Sequence, residues 1–264
     1  MSKLIDLMST IVTTNKSMFV LASILLGLYV GILSVTTPLI GSIEWLVSKG
    51  VLGSLLTQIR YSLVTPLTFA IALASVVPLE VLSSGRKGSS IIVLLPVNRS
   101  DITKASYCVV VAMAVAASLV AAFVRYVITY YLSGILVSYE LGLKLLAIYL
   151  LSTVPTITYI LSLGMLIYSL TPLKSGIPWV MTILYLVGIP LIYSVTSSVM
   201  RGKYVSDLIA SVLTPSYGVL TYIHSFLGAS VTDALPCLIA SVASLITTTS
   251  LAVIIFRTYA EVSL

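Results

Sequence analysis

The sequence predicts an all-α integral membrane protein, and three observations predict it. First, the 264 residues are 59% hydrophobic and 8% charged, where soluble domains carry about 25% charged residues. With a mean hydropathy of +1.15, one globule cannot hide that much apolar surface, so lipid must be its solvent. Second, the charges cut the chain into uncharged stretches about as long as a bilayer is thick. Third, one dense polar loop, Glu80–Lys104, lies between two such stretches.

The full prediction is six transmembrane helices with three additions. These are an N-terminal interfacial amphipathic helix, a short cytoplasmic helix between helices two and three, and a re-entrant outer hairpin before helix six. The interfacial helix takes residues 1–16. Leu4, Met8, Ile11 and Val12 share one face there, with Lys3, Asp6, Ser9 and Thr13 elsewhere, the pattern of a helix lying in the membrane surface. A signal peptide fits less well: the apolar core starts late, is too long and lacks a small-residue cleavage site.

Lys16 to Glu44 encloses 27 uncharged residues, roughly 40 Å as helix at about 1.5 Å each. The hydrocarbon core is about 30 Å thick, so this is one span, near Met18 to Leu39. Its Gly27 and Gly31 form a G-x-x-x-G that lets another helix approach closely. That serves packing within the chain or a dimer seam along a transport path. Gly41 to Arg60 carries Trp45, Leu52, Leu55, Leu56 and Ile59 on one side of a helix, an amphipathic cap. Span two occupies the 19 uncharged residues between Arg60 and Glu80, and span three the 20 between Lys104 and Arg125. Span four takes the 29 between Lys144 and Lys174, broken in character by Pro155 and Gly164. Its Ser152, Thr153, Thr156, Thr158 and Ser162 satisfy backbone near Pro155 or wet a pathway. Span five takes the 26 residues between Lys174 and Arg201, with a kink expected at Gly188 and Pro190. Span six takes the 23 between Asp233 and Arg257.

The window between Asp207 and Asp233 holds 25 uncharged residues and could be a seventh span by length. Pro215, Tyr217, Gly218 and His224 lie in its middle, where a lipid-facing helix would leave backbone groups unpaired. A re-entrant pair buried against protein tolerates such a break, so a hairpin over 205–232 is the preferred reading. Six spans put both termini on one side, and the cluster of bases in Glu80–Lys104 makes that side cytoplasmic.

That loop, over residues 83–103, has internal order. Ser89 and Ser90 can cap a short helix. Ile91, Leu94 and Leu95 share one face of it, and Pro96 stops it. Arg86, Lys87 and Arg99 flank it. The stretch GRKGSSIIVLLPVNRSDITK resembles the loop after the second helix of type-2 ABC transporter permeases. Gly88, Leu94, Leu95, Pro96, Val97, Arg99 and Ile102 stand at matching places, whereas Ser83 and Ser84 replace the family's frequent glutamate. The resemblance implies the membrane-spanning subunit of an ABC exporter in the plasma membrane. It also implies a second permease copy or paralogue and two ABC ATPase subunits docked on the two cytoplasmic loops. The family's re-entrant outer hairpin before its last helix agrees with the reading of 205–232. The residues expected to couple to the ATPase are Arg86, Lys87, Gly88, Ile91, Leu94, Leu95, Pro96 and Arg99.

Other chemistry is missing from the sequence. There is no G-x-x-x-x-G-K-[ST] phosphate loop. One histidine, His224, cannot build a histidine metal cluster, and no cofactor is expected. Cys108 and Cys237 lie in apolar spans and suggest no disulfide framework. The net charge of +6 is spread between spans rather than gathered on one face. That favours topology and lipid headgroups over nucleic acid. No carboxylate falls inside the six spans, whereas proton-coupled carriers keep ionisable groups at membrane depth. Energy is therefore expected from a partner. Two functions of other classes stay open: an ATP-independent carrier or channel, and a non-transporting membrane scaffold. Arg125 ends span three beside Tyr126, Tyr130 and Tyr131. At the bilayer centre an arginine costs roughly 2.5–3.5 kcal/mol. Near a helix end it snorkels, so Arg125 is an anchor or an outer-gate contact. His224 is a buried polar residue or a contact in substrate passage.

Overall fold

The computed structural model describes residues 99–133, 139–170, 203–228 and 231–259, with seven isolated positions between 183 and 196. Every element described is a helix: α1 (Arg99–Ser133), α2 (Tyr139–Leu170), α3 (Lys203–Leu213), α4 (Pro215–Gly228) and α5 (Val231–Tyr259). Spans one and two, the N-terminal helix, the Gly41–Arg60 cap and residues 83–98 lie outside the described residues. So do the kink positions of span five, Gly188 excepted.

Among the described residues, three helices are long and apolar enough to cross a membrane. Their apolar windows are Thr103–Val124, Gly142–Ile167 and Ala234–Phe256, of 22, 26 and 23 residues. At about 1.5 Å per residue each exceeds a hydrocarbon core of about 30 Å. These are the third, fourth and sixth spans expected from the sequence. Asp101 sits in the first turn of α1, where its charge complements the helix dipole.

Small residues decide how α1 and α2 meet. The inner face of α1 is lined by Ala105, Ala114, Ala117 and Ala121, all buried, while Leu119 and Phe123 point outward, Phe123 being 69% exposed. Small inner side chains bring backbones close, which is how helices associate when lipid removes the hydrophobic drive between them. Tyr107 of α1 bonds Ser162 of α2, and Ser118 bonds Thr153. As α1 ascends its partners on α2 descend, so the two helices are antiparallel. The core they share includes Tyr149, Ile157, Ile160 and Met165, closed by Leu220 of α4 and Phe256 of α5.

The relation of α2 to α5 is different. Thr156 meets Ser216, Gly218 lies against Cys237 and Ser241, and Ser162 meets Thr249. Going from 156 to 162 on α2 therefore follows 241 to 249 on α5. The two helices run in the same direction.

Pro155 does not break α2, which continues as helix on both sides of it and through Gly164. This corrects the expectation of an interrupted span. A proline removes one donor, and hydroxyls near it are bonded to backbone. Ser152 and Thr153 donate to the Tyr149 carbonyl, Thr156 reaches the Ser152 carbonyl at 3.0 Å and Thr158 the Val154 carbonyl at 2.8 Å. The Asp207–Asp233 window, by contrast, contains no single spanning helix. It divides at Thr214 into α3 and α4.

Candidate functional site

The break at Thr214 is where the chemistry of the described region concentrates. Pro215 opens α4 at its first helical position, where its missing N–H is no loss and its fixed φ suits a helix start. Seen from α3 the same proline is costly. The carbonyl four residues back, Ser211, loses the N–H that a continuous helix would supply. Ser241 on α5 donates its hydroxyl to that carbonyl at 3.0 Å, and Ser244 donates to the Val212 carbonyl at 2.7 Å. Two serines one turn apart on the neighbouring helix thus take up carbonyls at the end of α3. A buried backbone group left without a partner costs about 1–3 kcal/mol, so these bonds are what allow the break to sit inside protein.

Close packing makes those bonds possible. Gly218, one turn into α4, rests on the backbone of α5. A Cβ there would stand 2.0 Å from Ser241 Oγ and 2.3 Å from the Cys237 carbonyl oxygen. No side chain fits, so α4 can seat on α5 only with glycine at this position. The two half-helices are also clasped together: the Tyr217 hydroxyl donates to Asp207 Oδ1 at 2.5 Å, across the break.

A line of hydroxyls runs from the break into the bundle. Thr156 and Ser216 oxygens are 2.6 Å apart, joining α2 to α4. Ser162 hands its proton to the Thr158 carbonyl at 2.6 Å, leaving its oxygen to accept from Tyr107 at 2.7 Å and Thr249 at 3.2 Å. Ser118 and Thr153 close the α1–α2 contact. Almost every one of these groups is bonded, so the seam joins helices. Among the described residues, two buried hydroxyls have no hydrogen-bond partner: Ser106 Oγ and Thr214 Oγ1.

The residues singled out in the sequence are scattered relative to this site. Gly27, Gly31, Arg86, Lys87, Gly88, Ile91, Leu94, Leu95 and Pro96 lie outside the described residues. Arg99 opens α1. Arg125 follows directly on the Thr103–Val124 window, and His224 belongs to α4. Thr153, Thr156 and Ser162 are the ones brought into the seam. Ser241, Ser244, Thr249, Ser216 and the Asp207–Tyr217 pair were not anticipated. Pro215 names the carbonyl it orphans by counting back four, but nothing local names the donor, which comes from 30 residues further along the chain. Cys108 is exposed and Cys237 buried, and neither is in a disulfide.

No protein-family model, curated protein or solved structure matches this chain. By length and composition of its helices it is a membrane protein.

Proposed function

We propose that the chain is the membrane-spanning permease subunit of an ATP-driven ABC exporter, working with a separate ATPase. The observation that carries this reading is the Glu80–Lys104 loop. In the sequence, Ile91, Leu94 and Leu95 are spaced for one face of a short helix, with Arg86, Lys87 and Arg99 flanking them and Pro96 following. An apolar face exposed beside bases in an aqueous loop suits a grip for another protein. Its immediate continuation as α1, a helix of spanning length, supports the reading, since force on the loop would pass straight into a membrane helix.

The α3–α4 pair supports it as well. Two helices of 11 and 14 residues are each too short to cross a bilayer. The parallel run of α2 and α5 fits one intervening span plus a pair that enters and leaves on the same side. With seven full spans, the fourth and the last would run oppositely. On this reading the pair is the re-entrant outer hairpin, both termini are cytoplasmic, and two permease copies form the path.

Two substitutions test the proposal. L94D and L95D together place carboxylates on the docking face of a loop outside the hydrophobic spans. The unmutated chain should co-purify with a nucleotide-binding subunit, and the double variant should insert normally but lose it. Full retention of that subunit would sink the proposal. A chain that moves substrate in liposomes with no nucleotide-binding partner would instead be a carrier or channel.

A further inference from the structure

Most of the described buried hydroxyls in this bundle follow a habit. They give their proton to a carbonyl one turn back, as Ser118, Thr156, Ser162, Ser211 and Thr221 do, or meet another hydroxyl. Thr214 does neither. It is 1% exposed, and its Oγ1 has no hydrogen-bond partner in the protein.

Thr214 uses neither ordinary outlet. The carbonyl one turn back, Ala210, accepts from the Thr214 N–H at 2.8 Å but not from the hydroxyl. A residue in the N-cap position usually bonds an N–H two or three residues ahead. Here the Tyr217 N–H goes to the Thr214 carbonyl at 2.8 Å instead. The orphan hydroxyl stands where the backbone leaves one helix for the next. The carbonyls of Ala210, Ser211 and Val212 beside it each accept one bond, and a carbonyl has two lone pairs. Acceptors are plentiful and one hydroxyl is unspent. Buried waters sit at such places, making about three hydrogen bonds to otherwise unsatisfied groups.

We propose that a single internal water molecule occupies the α3–α4 break, bonded to Thr214 Oγ1 and to a free lone pair of a neighbouring α3 carbonyl. The water completes the hydrogen bonding that Pro215 interrupts, alongside Ser241 and Ser244. Because a water re-forms its bonds at new angles, the break becomes a wet joint between two half-helices. The proposal goes beyond the transporter reading and stands or falls without it.

The test turns on a sign. Valine has the shape of threonine without the hydroxyl. If the site is dry, T214V removes an unsatisfied group, and the full-length chain in detergent unfolds at the same temperature or higher. If water is bound, T214V takes away one of its partners, and the midpoint falls by roughly 2–4 °C. T214S, which keeps the hydroxyl, should then hold more of the stability than T214V. An unchanged or raised midpoint for T214V overturns the proposal. Where T214V does not yield folded protein, an experimental high-resolution map of the unmutated chain decides. Water within about 3.2 Å of Thr214 Oγ1 supports the site; a protein group in contact there, or an empty void, overturns it.

Discussion

Pro155 and Pro215 lie in segments of similar apolar character, yet one helix runs on through its proline and the other ends. Composition does not separate them, since both stand among serines, threonines and aliphatic residues. The neighbours do. Around Pro155 the hydroxyls belong to α2 itself and bond the Tyr149, Ser152 and Val154 carbonyls of α2 rather than the Leu151 carbonyl that the proline deprives of its N–H, and the helix runs on. At Pro215 the donors are on another helix, at Ser241 and Ser244, and Gly218 lets that helix come near enough to offer them. A proline in a membrane segment is thus a permission to break. At Pro215 the break coincides with donors that another helix supplies to the carbonyls at the end of α3.

The comparison can be broken most severely at Gly218. G218A drives a methyl group into the Cys237 carbonyl, a backbone atom that cannot step aside. The expected loss is about 3 kcal/mol, read as reduced resistance of the full chain to denaturant in detergent. Adding S241A should not rescue it, because the carbonyl clash remains. Wild-type stability of G218A would mean that α4 does not seat on α5 as described.

S241A alone should cost less, about 1–3 kcal/mol, because it uncovers one carbonyl in a site where Ser241 is 1% exposed. S244A serves as its internal control and should cost less again, since Ser244 lies nearer the bundle surface. If S241A proves neutral, the neighbour's donor does not hold the break.

The smallest effect is expected for P155A. With α2 already helical across that point, regaining one N–H should change stability by about 1 kcal/mol or less, in the stabilising direction. A large loss would show that Pro155 shapes α2 in a way its unbroken course does not reveal.

Much of the described fold could be read before any coordinates. The charges at Lys104, Arg125, Asp233 and Arg257 bracket two of the three spanning helices, and the last apolar window, Ala234–Phe256, fills the interval between its two charges. That works because a charge is costly in hydrocarbon, so spans end where charges begin. The interruption near Pro215 was legible for the same kind of reason, as a missing backbone donor. The continuity of α2 through Pro155 was not, because a proline looks alike in sequence whether the helix runs on past it or stops. The Asp207–Tyr217 clasp was missed too. Ten residues apart, the two would not meet on one straight helix, and only the break brings them together.

By itself, then, the sequence determined that this chain carries helices apolar enough for lipid, roughly where the three described spanning windows lie, and that one apolar window is divided. Those are consequences of solvation, which each residue meets largely on its own. Tertiary structure decided which proline breaks its helix, which serines repair the damage and why position 218 admits no side chain. Those outcomes depend on which backbone lies within hydrogen-bond reach of which hydroxyl, and that distance exists only once the helices have packed.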